Sequence, residues 1–381
     1  HNLAKGQWEF YSINLRNNEG VFIDKKNLLE NNSKTFNLID KSKKFRFSDQ
    51  AFMMVAYYLY ALKNSDKEGA KIYKDFALEI LNMFENYKEN IYTCSLDELC
   101  KILLSFNILC TYDSIPELKA LIIDFSDYAM NKFDDKDYYV NSLDVCSLCA
   151  LTLSLSYKNT NMTPFLDKAT EIINKLHTLY DEDKVVFYKL STKKEIKYSN
   201  LDIMLYFLAF VVYSNVTDKH SEYKHMLSSI YKKFIINSGL IPSWPEAPTL
   251  DDYERYRSLS LNSADMIDES YFRMPNIPTP EATGIAPMFK KYIVYNKRKD
   301  SFSSDKLYFE SYKNFFVFFL LFFFKNEIIC EMQLNNQNED ENNKSDDTFE
   351  EVCNEECSDN VDDSIDNCPP INEADINCNE N

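Results

Sequence analysis

Apolar residues recur with helical spacing through most of residues 1–237. The pattern predicts helices over 48–62, 68–87, 95–110, 114–133, 142–157, 163–180, 200–213 and 218–236, and a further one around Trp8–Leu15. The eight fall into four pairs. Within a pair the linker is a plain polar turn, such as "NSDK" at 64–67. Between pairs comes an acidic or Asn-rich turn with a short β-prone piece: "NNEGVF" (17–22), "KENIYT" (88–93), "DDKDYYV" (134–140), "DEDKVVF" (181–187) and "NSGLIPSW" (237–244).

The first helix of each pair opens alike: Ser48-Asp49, Ser95-Leu96-Asp97, Ser142-Leu143-Asp144 and Asn200-Leu201-Asp202. The Asp spacings are 48, 47 and 58. A repeat near 50 residues with two helices per unit predicts stacked hairpins, since one hairpin cannot bury its own apolar face. Such an array runs on as an open solenoid or curls into a toroid. "VCSLCALTLSL" and "LDIMLYFLAFVV" are apolar nearly all round, as helices of an inner ring must be. The expected fold is therefore all-α, with helical hairpins closing into an α/α toroid.

Ser or Asn at these starts suits the N-cap, and Asp in the first turn complements the positive end of the helix. Ser95 with Glu98 also fits a capping box. That structural role accounts for any one Asp. In a ring of parallel inner helices, however, Asp49, Asp97, Asp144 and Asp202 gather at one mouth. Inward carboxylates around a concave site are what acid/base chemistry on sugars needs.

Residues 238–287 break the pattern, with seven of the eleven prolines and one of the two tryptophans. Aromatic residues there, including Trp244 and Tyr271, suit the apolar face of a pyranose, and carboxylates such as Asp268 and Glu269 suit its hydroxyls. Arg273 would pair with an acidic substituent.

Composition narrows the classes. Five glycines, and no GxGxxG or Walker-type stretch, argue against a nucleotide-binding fold. Residues 339–381 hold 16 Asp or Glu and one Lys, a net of −15, which leaves only −3 of the chain's −18 for the rest. A near-neutral body without a basic stripe argues against nucleic acid as a partner. Cys94, Cys100, Cys110, Cys146 and Cys149 sit in apolar helical patterns and read as small hydrophobes. The tail cysteines Cys353, Cys357, Cys368 and Cys378 have no histidine among them and match a zinc site poorly. No cofactor and no resident metal are expected. The longest apolar run, "FFVFFLLFFF" (315–324), is too short to span a bilayer as a helix and reads as a buried helix closing the domain. No charged-then-apolar signal segment stands at the start, so a cytoplasmic location is the expectation. The domain is expected over 1–325, with a Pro-rich site loop at 238–300 and an acidic, disordered tail at 326–381.

Together, the repeated hairpins, the "NNEGVF", "DEDKVVF" and "SGLIPSW" turns and the Ser-x-Asp helix starts resemble the six-hairpin glycosidase superfamily across roughly residues 2–325. The resemblance implies an (α/α)6 barrel with a carbohydrate-active site at the inner-helix N-termini. Only about five hairpins are clear, so the sixth would come from the Pro-rich segment plus a 306–325 helix. Histidine-based sugar epimerases share this toroid, but of the four histidines none joins the Asp starts, so a two-carboxylate hydrolase fits better. On that reading Asp144 and Asp202 are the acid/base pair and Asp268 a partner carboxylate. Asp49, Asp97, Trp244, Tyr271 and Arg273 bind a sugar or oligosaccharide. The alternative is a non-catalytic module, or a toroid that has lost catalysis, binding a glycan or a protein.

Overall fold

The computed structural model describes residues 2–28, 37–42, 44–67, 69–140, 142–189, 194–241, 289–303 and 310–333. These residues are mostly helical, with twelve α-helices among them. After α1 (Asn2–Asn14), four hairpins follow in the expected places. They are α2 (Phe47–Lys63) with α3 (Ala70–Asn86), and α5 (Leu96–Tyr112) with α6 (Pro116–Asp134). Then come α7 (Leu143–Thr160) with α8 (Thr163–Thr178), and α9 (Asn200–Thr217) with α10 (His220–Ile230). A short π-helical turn, Tyr231–Ile236, extends α10.

The first helices of the hairpins form one continuous row: α2 packs on α5, α5 on α7, and α7 on α9. Their sequences require this. Every residue of α7 from Cys146 to Ser156 is buried, and so is every residue of α9 from Ile203 to Ser214. The second helices bury only a stripe; in α8 it is Phe165, Ala169, Ile172, Ile173 and Leu176. Each fully buried Leu, Ile or Phe contributes about 1.5–3 kcal/mol, so the row is where most of the fold's burial lies. α9 is long and apolar enough to cross a membrane, but 78% of it is buried inside the protein, which is how a core helix behaves.

Several polar groups in the row are satisfied along their own helix or across to the next. Thr152 and Ser154 donate back to Leu148 and Ala150 carbonyls. Asn107 of α5 donates to Ser156 Oγ of α7 at 2.9 Å, and Ser126 of α6 donates to the same oxygen at 2.9 Å. Asn159 Nδ2 in turn donates to Asn107 Oδ1 at 2.9 Å. This buried network fixes the register of α5 against α7, because a slip of one residue strands several polar groups. Cys146 and Cys149 of α7 are part of the same packing and are fully buried, as is Cys100 of α5.

α11 (Ser311–Phe323) is shorter than the expected 306–325 helix, with 304–309 outside the described residues. It runs parallel to α2 and α5. Near its start, Tyr312 lies beside Arg46 and Lys101; further along, Phe316 and Phe319 meet Phe52 at 5.7 and 5.5 Å, and Phe323 meets Tyr112 at 6.5 Å. α11 also packs on α9. α12 (Lys325–Gln333) places residues 326–333 in a helix that packs on α9 and α10, whereas the sequence put them in the tail. Its Glu331 is buried and bonded by His220 Nδ1 at 2.5 Å and Asn215 Nδ2 at 3.1 Å. Residues 334–381, including the acidic stretch, lie outside the described residues.

The inter-hairpin turns differ in kind. "KENIYT" is not extended but forms α4 (Lys88–Tyr92), one turn held by the Tyr92 hydroxyl on Asp124 at 2.8 Å. β1 (Lys25–Asn27) pairs with β2 (Leu38–Asp40) ahead of α2, and "DEDKVVF" holds the expected extended piece: β3 (Tyr180–Asp181) and β4 (Val186–Phe187) make a small hairpin. The unexpected element is a three-stranded antiparallel sheet. β5 (Glu195–Ser199) pairs with β6 (Tyr292–Asn296), which pairs with β7 (Ser301–Ser303). Its alternate residues Ile196, Tyr198, Ile293 and Tyr295 are buried, and β5 feeds directly into α9.

Two expected caps are corrected. Ser48 lies inside α2, whose N-cap is Arg46, and the cap of α9 is Ser199 rather than Asn200. Ser48 is instead held from the next hairpin: Glu98 of α5 accepts from Ser48 N at 2.8 Å and Ser48 Oγ at 2.9 Å. Glu98 thus caps a neighbouring helix while its own N–H is capped by Ser95 Oγ at 3.3 Å. Glu98→Ala and Ser48→Ala should each lower the melting temperature, and a double-mutant cycle should give a coupling of about 1–2 kcal/mol. Additive losses in chemical denaturation would mean that the link between hairpins contributes nothing.

Candidate functional site

The starts of α2, α5, α7, α9 and α11 lie at one end of the helical row, and all four expected aspartates stand there. Three of them are held by a cation. Asp49 accepts from Arg46 Nε at 2.9 Å, three residues earlier. Asp97 accepts from Lys101 Nζ at 2.6 Å, one turn later on the same helix. Asp202 accepts from Lys189 Nζ at 2.7 Å and belongs to a capping box in which Ser199 Oγ accepts the Asp202 N–H and the Ser199 backbone N–H donates to the Asp202 carboxylate.

Asp144 is different. Ser142 makes no side-chain cap on α7, and the Asp144 carboxylate is steadied only by backbone N–H groups of its own turn, those of Val145 and Asp144. No cation forms an ion pair with it among the described residues. Burial pushes its pKa above the ordinary carboxylate value, and the nearby Asp202 charge raises it further; the backbone donors and Lys189 partly oppose this. Asp49 is also raised, first by burial and then by Glu98 and Asp24, against the lowering effect of Arg46.

Three of the buried polar atoms without a partner among the described residues belong to α7 and α9; others are Trp8 Nε1, the Tyr139 hydroxyl and one Glu331 oxygen. The Tyr206 hydroxyl, Asn200 Nδ2 and Ser147 Oγ are buried and find no partner among the described residues. Burial drives the Tyr206 pKa well up, and the largest charge contributions come from Asp202 and then Asp144. The gap on the other side of Tyr206, lined by Phe187, Ile203, Ile230 and Phe234, is apolar and too tight for a water molecule. At the α2, α5 and α11 starts, the half-exposed Tyr312 ring has the Arg46 guanidinium at 5.5 Å and the Lys101 ammonium at 6.0 Å.

The structure thus brings Asp144 near Asp202, and Asp49 near Glu98. Asp268, Glu269, Trp244, Tyr271 and Arg273 lie outside the described residues. Sequence reasoning missed Arg46, Lys101, Lys189, Glu98, Tyr206 and Tyr312. Arg46 and Lys101 had a local signal, a cation three or four residues from an Asp. Lys189 had none: it reaches Asp202 from thirteen residues upstream, with its ammonium also on the Lys197 carbonyl of β5 at 3.0 Å. Among the described residues no three His, Cys, Asp or Glu side chains are grouped to hold a metal ion.

Against known protein families, characterised proteins and solved structures, the chain has no match.

The Asp144 environment sets a pH signature. A raised folded pKa means that its contribution to stability is fully present below the unfolded value, about 3.9. That contribution is lost as pH rises through the raised value. Asp144→Asn should therefore raise the melting temperature at neutral pH and leave it nearly unchanged near about pH 3. A lower melting temperature at neutral pH would mean that the ionised carboxylate stabilises α7 as an ordinary first-turn Asp.

Proposed function

We propose that this chain is a carbohydrate-active enzyme in which Asp144 and Asp202, at the inner-helix N-termini, form the acid/base pair of a glycoside hydrolase. The observation that carries the reading is the asymmetry of that pair. Asp202 is fixed beside Lys189, while the half-buried Asp144 forms no ion pair among the described residues and is pushed toward its protonated form. Glycosidic cleavage needs such a division, one carboxyl holding a proton and its neighbour ionised. In this role Asp144 gives its proton to the glycosidic oxygen as the C–O bond breaks. Asp202 takes a proton from the attacking water, or bonds to the anomeric carbon itself. Tyr312, flanked by Arg46 and Lys101, offers a ring face to a sugar at the same end of the row.

The wider architecture is proposed with it: the helical row closes into an α/α toroid of the six-hairpin glycosidase kind, with α11 as the inner helix between α9 and α2. The packing of α11 on α9 and of Phe316 and Phe319 on Phe52 supports closure. Phe52→Ala and Phe316→Ala should couple by about 0.5–1.5 kcal/mol in a double-mutant cycle. Independent effects would favour an open array.

A second reading, a sugar- or protein-binding module without catalysis, has its own support. Asp49, Asp97 and Asp202 are each held by a neighbouring cation, and Asp202 is part of its own helix cap. Turnover separates the two. Once a glycoside is found to be cleaved, Asp144→Asn and Asp202→Asn should each cut kcat by about 10²–10⁴. If a glycoside binds and is not cleaved, or if both variants keep full activity, the hydrolase reading fails and the binding module stands.

A further inference from the structure

α11 is apolar on nearly every side yet buried on only one. Phe316, Val317 and Leu320 are buried, with Phe316 against Phe52 of α2. On the opposite side Phe315, Phe318 and Phe322 fall within about 60° of one another around the helix axis. Phe315 is 73% exposed and Phe322 75%. Phe318 is 43% exposed, partly covered by the Phe289 ring at 5.5 Å. Apolar residues exposed singly need no explanation, but three large rings in one stripe do. Their spacing, three residues and then four, is that of a seam between two helices.

We propose that this face is where two copies of the chain meet, α11 pairing with α11 of the second copy across a two-fold axis. The inference is independent of the sugar reading. Charge and area both favour a second copy as the occupant. From Asn314 to Phe324 the helix carries no charged residue, in a chain of net −18. Two such neutral windows meet without opposing like charges. An anionic lipid surface instead repels a chain of this charge, and a charged peptide finds nothing on the stripe to pair with. A buried Phe ring removes about 150–250 Å² from water, so the exposed parts of these three amount to roughly 400 Å² per copy. Tyr312 and Ile329, 42% and 47% exposed, flank the stripe. With them two copies bury about 1,000 Å² in total, the lower edge of a specific interface. The dimer is therefore weak and reversible, with Kd on the order of 10 µM. An antiparallel pairing about Phe318 sets Phe315 of each copy against Phe322 of the other, the reciprocal contact that a two-fold axis requires.

Sedimentation velocity of the full chain under reducing conditions, from about 1 to about 200 µM, tests the proposal across the expected Kd. The weight-average sedimentation coefficient should rise with concentration from the monomer toward the dimer value. Phe315→Ser together with Phe322→Ser should raise Kd at least about tenfold, as loss of central aromatic anchors does. Circular dichroism and the melting temperature of the dilute protein should stay close to those of the unaltered chain, because both rings are exposed in the monomer. Ile13→Ser, at a residue 78% exposed on α1, is the control and should leave Kd unchanged. Association should also survive about 1 M salt, which screens charges within about 3 Å. A chain that stays monomeric at every concentration overturns the proposal. So does a dimer that the double substitution leaves intact, one that Ile13→Ser weakens equally, or one that salt dissolves.

Discussion

Parallel burial of helices is the constraint on which the structure depends. α2, α5, α7 and α9 lie side by side with their starts at one end, because hairpins in tandem return the chain to the same side each time. Each helix carries about half a positive charge at its start and several N–H groups with no partner inside the helix. Four such ends side by side repel one another and must all be satisfied in one place. The chain answers with carboxylates: Asp49, Asp97, Glu98, Asp144 and Asp202 all fall in first turns. Glu98 does this most economically, closing its own helix start through its N–H and its neighbour's through its side chain.

The same constraint explains why a catalytic reading of the aspartates has to be argued one residue at a time. A first-turn Asp is expected at every inner helix on structural grounds alone, so its presence says little. What distinguishes a position is whether the carboxylate is spent. At three starts a cation holds it. At α7 the Asp144 side chain is left to backbone donors, in a half-buried place that disfavours its charge. Lys189 sharpens the contrast, because it is anchored on the β5 backbone and so fixes Asp202 from outside the helical row. The small sheet of β5, β6 and β7 therefore bears on the site through this lysine and through Ser199, which ends a strand and caps a helix at once.

The hairpins were legible in the sequence because burial on one or all faces leaves a periodic trace, and the four pairs stand where the apolar spacing put them. The Ser95 cap was legible for the same reason, being a local device. What was not legible is non-local. Ser48 looked like a cap, but its partner is Glu98, fifty residues on in the chain. Ser199 displaced Asn200 because β5 runs straight into α9, and β5 exists only by pairing with β6 almost a hundred residues later. "KENIYT" looked extended from its Ile and Tyr, yet the Tyr92 hydroxyl on Asp124 and the burial of Ile91 hold it as a helical turn. For the site, the four aspartates were readable and their counter-ions only where they sit within one helical turn.

The distribution of unpaired polar atoms adds a separate line of argument. Leaving a buried donor or acceptor without a partner costs about 1–3 kcal/mol, and a phenylalanine at 206 or an alanine at 147 would avoid that cost. The α5–α7 interior shows how this chain treats buried polar groups when packing alone is at stake: Asn107, Ser126, Ser156 and Asn159 complete one another. In α7 and α9 it does the opposite, with Ser147 Oγ, Asn200 Nδ2 and the Tyr206 hydroxyl unpaired among the described residues, and Asp144 there forms no ion pair. Unpartnered buried groups also occur at Trp8, Tyr139 and Glu331, so those of α7 and α9 bear on a site only through the charged aspartates at the same helix starts. In the proposed reading, the α7 and α9 starts therefore carry more weight than the other aspartates of the row.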